Sequence, residues 1–425
     1  MTSEKHDDDA GIPLVTGTGI TPVAEGVWLL QGQGQSFVAE TDAGLVLVDT
    51  GPGGRVTRAM IEHLRSVSDR PVAAICFSHG HVGYNAGLPL WKEDAARRGH
   101  PPPVVIAHER VPVRYARYRA TQGLQERMAE IQFRMKPGGM RGKIALHDPD
   151  KTYAQQLTLG TDRRVQLLWA PSETDDVTAV WVPHARILYG SAAVIDSIPN
   201  IGTPFRTMRD TLRWADTLDR LCDLRPVRVV REFGPDIAGE EEVQKVLGTT
   251  AKALRWLHAE VIRLMNEGMG EREILAAIHY PEHLFGVPWM RPSYGAPDYI
   301  VRDIFRSENG WWDRNPTSLH PATPTEIGRE VVAAIADKAA LIAHAQGLAD
   351  KGEYQLALHV IDILATACEA GDEINAVPEL GQARQLKAAW LRARADQVPS
   401  YVSRSLYKVS ADMLEQDSAH TFSIR

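Results

Sequence analysis

The apolar positions fall into two regimes along the chain. Up to about residue 240, short apolar runs bounded by Gly, Pro, Asp or Ser alternate with stretches of helical spacing. Residues 26–30 and 36–40 predict two short strands with a Gly/Gln turn between them. The run Leu45-Val46-Leu47-Val48 predicts a strand buried on both faces, ended by Asp49-Thr50-Gly51. Val56, Met60, Ile61 and Leu64 recur with a helical period inside 55–68, and Pro71 leads into another apolar run at 72–77. The pattern then predicts a helix over 88–98, strands over 103–108, 164–169, 177–182 and 186–190, a helix over 207–222 and a strand over 227–231. Residues 115–135 have helical spacing but are basic and rich in Met and Gln; 136–142 must be a loop, of the kind that serves as a lid. From residue 241 the helical period dominates: 241–266, 271–278, 298–305, 325–350, 354–370 and 381–395. Short polar turns join the last three, as in tetratricopeptide-like hairpins.

Strand, helix and strand in that order predict a layered α/β unit whose chemistry sits on loops at the C-terminal ends of strands. The change of regime predicts a tail over 1–12, a first domain over 13–280, a Pro-, Trp- and Gly-rich junction over 281–324 and an all-helical domain over 325–425. A length of 425 residues fits two domains, and 44% apolar with 24% charged residues excludes a disordered chain. The net charge of −7 leaves no electrostatic footprint for nucleic acid. No run approaches the roughly 18 apolar residues of a membrane span, and the acidic first nine residues lack the apolar core of a signal peptide. Cys76, Cys222 and Cys368 are far apart and odd in number, which argues against a disulfide framework; a cytoplasmic location is expected.

The candidate chemistry begins at Ser78-His79-Gly80-His81-Val82-Gly83-Tyr84. In an extended loop alternate side chains point the same way, so His79 and His81 can offer two ring nitrogens to one ion. A turn that happens to hold two histidines fits the spacing equally well.

The order of these parts resembles the metallo-β-lactamase superfamily. More specifically, Asn309-Gly310-Trp311-Trp312-Asp313-Arg314-Asn315-Pro316 with Leu319-His320-Pro321, then Lys351-Gly352-Glu353-Tyr354 and Ser400-Tyr401-Val402-Ser403-Arg404, resemble the alkyl sulfatase family. The resemblance implies a metallo-β-lactamase-like αββα sandwich over 13–280, an α-helical dimerisation domain over 325–425 that builds a homodimer, and hydrolysis of organic sulfate esters at a dinuclear zinc site. The family's lipid-transfer-like C-terminal domain is expected to be missing from a sequence that stops at Arg425. Carried over singly, the family's ligands fall on His79, His81 and Glu173. Its next aspartate and histidine fall on Gly83 and Tyr84, its bridging glutamate near Ser191-Ala192, and its last histidine on Glu232. The resemblance therefore implies half of a dinuclear site: one divalent ion on His79, His81 and Glu173, with zinc expected and Fe(II) or Mn compatible.

Glu232 and Tyr84 are the catalytic candidates, as a general base and a phenol donor. Asp175 and Asp176 are candidates for orienting the imidazoles, while Asp49 is expected to fix the loop rather than to bind metal. Arg206 and Asn200 lie near positions where the family binds sulfate, and Tyr294 resembles a tyrosine of its pocket. The expected function is a metal-dependent hydrolase of an ester or sulfate ester of a partly apolar small molecule. Two alternatives stay open: a mononuclear Fe(II) oxygenase or lyase, since two histidines and a carboxylate also form that triad, and a non-catalytic, metal-free dimeric homologue.

Overall fold

The computed structural model describes residues 15–367 and 377–415; the tail expected over 1–12 and Cys368 lie outside them. Contacts divide the chain into two units. One holds the described residues through Gln122 with Gly142–Pro292 and Ala296–Glu308. The other holds Gly123–Arg141, Ser293–Gly295 and the described residues from Asn309 onward.

The first unit is built on two six-stranded sheets. In one, β1 (Val15–Ala24), β2 (Val27–Thr41), β3 (Gly44–Val48), β4 (Val72–Cys76), β5 (Val104–His108) and β6 (Lys151–Tyr153) lie in chain order, parallel from β3 onward. The other runs β12-β11-β10-β9-β8-β7, from β7 (Gln156–Leu159), β8 (Val165–Trp169), β9 (Thr178–Val182), β10 (Ile187–Tyr189), β11 (Arg228–Val230) and β12 (Ile237–Ala238). The period-2 alternation of β3 explains the layering. Val46 and Val48 join Val165, Leu167, Val180 and Val182 in the core between the sheets. Leu45 and Leu47 point the other way, against Met60 and Leu64 of α1 (Gly54–Val67) and Trp91 of α2 (Leu88–Arg97). Each such side chain taken out of water contributes about 1.5–3 kcal/mol. The result is a layered α/β unit, as the sequence predicts, and it takes the form of the αββα sandwich that the family resemblance implies.

Three differences from the sequence reading have physical causes. First, residues 31–35 are not a turn: β2 runs unbroken through them, with burial alternating residue by residue and Gln31 and Gln33 paired to β1. The glutamines lie on one face and the glycines on the other, so the repeat is a strand pattern written in polar and small residues. Second, the helical stretch over 115–135 is two helices, α3 (Arg110–Ala120) and α4 (Gln122–Gln132), divided at Thr121, whose hydroxyl bonds back to the Arg117 carbonyl. β6, β7 and β12 also went unread, being two to four residues long.

The outer face of the second sheet is covered by α5 (Thr211–Asp223), capped by the Asp210 side chain, and by α6 (Glu240–Asn266), α7 (Glu271–Ala277), the single turn α8 (Glu282–Phe285) and α9 (Pro297–Asn309). The second unit is helical: α10 (Pro324–Ala334), α11 (Lys338–Ala349), α12 (Tyr354–Ala365), α13 (Pro378–Asp396) and α14 (Tyr401–Glu415). From α11 on, each helix packs on the next in sequence. The third difference falls here: the helix expected over 325–350 breaks between α10 and α11 with a 108° bend, where the Asp337 side chain caps a fresh N-terminus. Among the described residues no single helix is long and apolar enough to cross a membrane.

Candidate metal centre

The site forms where β4 ends. The Ser78 backbone is held from both sheets: its N–H donates to Asp49 Oδ1 at 2.9 Å, and its carbonyl accepts from the Thr178 N–H at 2.7 Å. Asp49, buried at the end of β3 with φ +58°, also accepts from Asn85 Nδ2 at 3.0 Å. It therefore fixes the histidine loop. Gly80 separates the two histidines because its N–H donates to Asp176 Oδ2 at 3.0 Å, and a Cβ there would lie 2.6 Å from the same oxygen.

His79, His81 and Glu173 come together as a trio whose donor atoms all lie within 4.8 Å of one another. His79 Nε2 and His81 Nδ1 are 2.8 Å apart; Glu173 Oε2 is 3.9 Å from the first and 3.4 Å from the second. Ligand atoms around one tetrahedral zinc stand roughly 3.3–3.5 Å apart, so two imidazoles and a carboxylate at these spacings suit a divalent ion. The rings are also prepared for it. His79 Nδ1 lies 2.8 Å from Ser78 Oγ, leaving Nε2 to face the trio. Burial pushes the His81 imidazole well down, to the neutral form that binds metal. Burial works to raise Glu173, but Arg209, His81, His79 and the hydrogen bond from Asn200 together outweigh it and hold the carboxyl below its usual range.

The other candidates are placed as follows. Tyr84 is buried, its ring 4.8 Å from that of His79. Burial, and then the neighbouring Glu232, keep its phenol protonated. Glu232 is buried beside it, hydrogen-bonded to Tyr84 and raised well above the usual range by burial; its Oε1 has no hydrogen-bond partner among the described residues. Asn200 donates to Glu173 Oε1 at 2.8 Å, so its amide is engaged in orienting the trio. Arg206 is half-buried, with a bond from Nη1 to the Phe205 carbonyl at 3.4 Å. Tyr294 belongs to the helical unit, bonded by Gln132 and stacked on Tyr401. Asp175 and Asp176 do not orient the imidazoles. Arg114 binds both, at 2.5 and 2.9 Å, and Asp176 acts on the loop through Gly80.

Two residues escaped the sequence reading. Arg209, three residues beyond Arg206, is the guanidinium that reaches the trio, 3.2 Å from Glu173 Oε1, and its own N–H donates to Asp303. Gln33 approaches Gly83, where φ is +99° and a Cβ would lie 2.6 Å from the Gln33 amide. No motif marks Arg209. Gln33 was hidden inside the repeat taken for a turn.

Comparison with known proteins agrees with this fold. The metallo-beta-lactamase superfamily model matches residues 29–231, and the alkyl sulfatase dimerisation model matches residues 270–417. A linear primary-alkylsulfatase from Pseudomonas sp. is 28% identical over 75% of this chain and 64% of its own length. An alkyl/aryl-sulfatase from Saccharomyces cerevisiae is 22% identical over 94% of this chain and 64% of its own. The solved structure of a stereoselective inverting sec-alkylsulfatase from Pseudomonas sp. superimposes with a TM-score of 0.80 at 21% identity, over 94% of this chain and 66% of that one. The chain thus spans about two thirds or less of the length of these relatives. The sandwich carrying a His-x-His loop, followed by helices that match the alkyl sulfatase dimerisation model, places the chain in the alkyl sulfatase-like family of the metallo-β-lactamase superfamily.

Proposed function

We propose that the protein is a metal-dependent hydrolase acting on an ester or sulfate ester of a partly apolar small molecule, with a single divalent ion, zinc, held by His79, His81 and Glu173. The observation that carries the reading is the convergence of this trio beside positions that lack the family's second ligand set. Gly83 has no side chain and the Gln33 amide fills the space beside it; Tyr84 packs its ring on His79; Ser191 and Ala192 carry no carboxylate. His79, His81 and Glu173 would hold the ion, which would supply Lewis acidity there.

The chain's own groups supply the rest. Arg209 and Asn200 hold Glu173 ionised and aimed. Tyr84, kept as a neutral phenol, offers a proton or hydrogen bond to the leaving oxygen. The Glu232 carboxyl beside it, raised by burial, suits a group that holds a proton and exchanges it with the substrate. The relatives named as alkylsulfatases make a sulfate ester one of the two substrate classes to test.

A second reading rests on the same donor set: two imidazoles and one carboxylate on Fe(II) make an oxygenase centre. The deciding experiment is metal analysis of anaerobically purified protein, together with turnover of medium-chain alkyl sulfates and carboxylic esters. One zinc per chain, with hydrolysis abolished in His79→Ala/His81→Ala, is expected. Turnover no greater than that variant's would end the hydrolase reading for these substrates, and stoichiometric iron would favour the second.

The helical unit is proposed to form a homodimer. In support, Ile327 and Val331 one turn apart on α10, and Leu356 and Ile363 on α12, are exposed. Sedimentation equilibrium showing a monomer at micromolar concentration would count against it.

A further inference from the structure

We propose that the cleft between α3 and the start of α5 receives the non-reacting end of the substrate, a short apolar stem ending in a carboxylate, with Arg117 as the residue that binds that carboxylate. The proposal rests on the hydrolase reading only for which end of the substrate reacts.

The cleft measures about 590 Å³ and shares Glu173 and Arg209 with the metal centre. Arg114, on its α3 wall, packs against Gly80 of the histidine loop. The cleft therefore opens beside the trio, within reach of a molecule whose reacting bond lies there. Its wall on α3 carries arginines at 110, 114 and 117, a spacing that puts them on one helical face.

The charges of this wall are mostly spoken for. Arg110 and Arg114 pair with Asp175, Arg114 also with Asp176, Arg209 with Glu173 and Arg213 with Asp210. Arg117 differs. It is half-buried, its guanidinium lies 5.9 Å from the centre of the Tyr118 ring, and it pairs with no carboxylate among the described residues. Glu308 also lines the cleft but is exposed and makes no ion pair with Arg117. A partly desolvated, uncommitted guanidinium on a cleft wall is matched by a planar, bidentate oxyanion, and a carboxylate has that shape.

The apolar half of the proposal comes from Val113, Met208 and Leu212. All three line this cleft, and they are exposed by 68%, 52% and 38%. Three large apolar side chains left in water around one charged cleft are accounted for by a ligand with a short hydrocarbon stem. A long alkyl chain, by contrast, would leave Arg117 without a counterpart.

The test uses the zinc-loaded full chain, with butyrate and butyramide as probes in titration calorimetry or ligand-observed NMR. Butyrate is expected to bind more tightly than butyramide. Arg117→Ala should weaken butyrate by about 10- to 100-fold, the usual worth of a charge-assisted pair, and leave butyramide unchanged, while Arg117→Lys should restore part of the loss. Butyrate affinity should persist in His79→Ala/His81→Ala, because the anion sits in the cleft and not on the metal. A melting temperature for Arg117→Ala within a few degrees of wild type shows that the fold is intact; the Lys variant serves if it is not. Unchanged butyrate binding in Arg117→Ala, or its loss in the histidine variant, overturns the proposal whatever the turnover. In a parallel arm, the monomethyl ester of glutaric acid should show a lower KM than methyl butyrate, and only the former should respond to Arg117→Ala. If neither ester turns over yet butyrate binding depends on Arg117, the cleft assignment stands and the hydrolase reading falls.

Discussion

Asp49 gives the most direct check on how the site is held. Its buried Oδ1 accepts the Ser78 N–H and the Asn85 amide, and its backbone sits at φ +58°. Asp49→Ala leaves two buried donors without an acceptor, at about 1–3 kcal/mol each. It also puts alanine, which tolerates the left-handed region less well than aspartate, at that positive φ. Against this stands relief of the burial that raises the Asp49 carboxyl. The expected net loss for Ala is about 3–5 kcal/mol. Asp49→Asn keeps an acceptor oxygen and tolerates the positive φ, so its loss should be about 1 kcal/mol. The assay is urea unfolding in EDTA, so that metal binding to the folded state does not enter the difference, with the midpoint compared at constant slope. An Ala variant within 1 kcal/mol of wild type would refute the reasoning. So would an Asn variant as damaged as the Ala, since charge rather than hydrogen-bond acceptance would then be holding the loop.

Other outcomes follow from the same structure. Zinc at about 100 times its dissociation constant should stabilise the protein by about 2.7 kcal/mol, and Glu173→Gln or His79→Ala should abolish most of the resulting rise in melting temperature seen by calorimetry; a full rise in both variants would move the ion elsewhere. Tyr84→Phe should retain one zinc per chain while hydrolysis falls roughly 100-fold; undiminished turnover would remove the phenol from the reaction. Burial raises Asp303 to about 6, from an ordinary value of 3.8. The folded chain therefore holds this proton more tightly than the unfolded one, and its contribution to stability is lost as pH rises from about 4 through about 6, by at most about 3 kcal/mol. Asp303→Asn should flatten that part of the stability-against-pH curve measured by urea unfolding between pH 4.5 and 7.5, and an unchanged curve would show that Asp303 is not the group responsible.

What the sequence made legible was whatever is written in contiguous apolar runs. Leu45 to Val48 and residues 72–77 announce two central strands because both their faces are buried; they imply a layered α/β unit, while the sandwich itself came from the family resemblance. The His-x-His loop was legible because it sits where one of those strands ends. Gln31 to Gln35 was misread because a strand made of glutamine and glycine has no apolar alternation to show, although its burial alternates. That error concealed Gln33, the residue that fills the space beside Gly83. Arg209 stayed hidden for a different reason: Glu173 and Arg209 meet only after α5 is docked, and nothing in the residues around position 209 encodes that meeting. The break at Ile335 to Asp337 could have been read from Asp337, a good N-cap residue inside an otherwise helical run.

The continuous β2 has a consequence for how the chain acquires its site. Gln35 donates its backbone N–H to the Glu232 carbonyl and its amide to the Arg231 carbonyl, 196 residues away in sequence. His79 and His81 likewise meet Glu173 only when the two sheets close on each other. A nascent chain that has not yet emerged past residue 232 holds two histidines but no finished centre. Closing loops of this length costs entropy that must be met before the contacts reward it, so the trio is expected to close late in folding. Interactions formed that late change the rate of unfolding far more than the rate of folding. Zinc should therefore act on this protein as a latch, lengthening the life of the folded state while leaving the speed of its assembly nearly untouched.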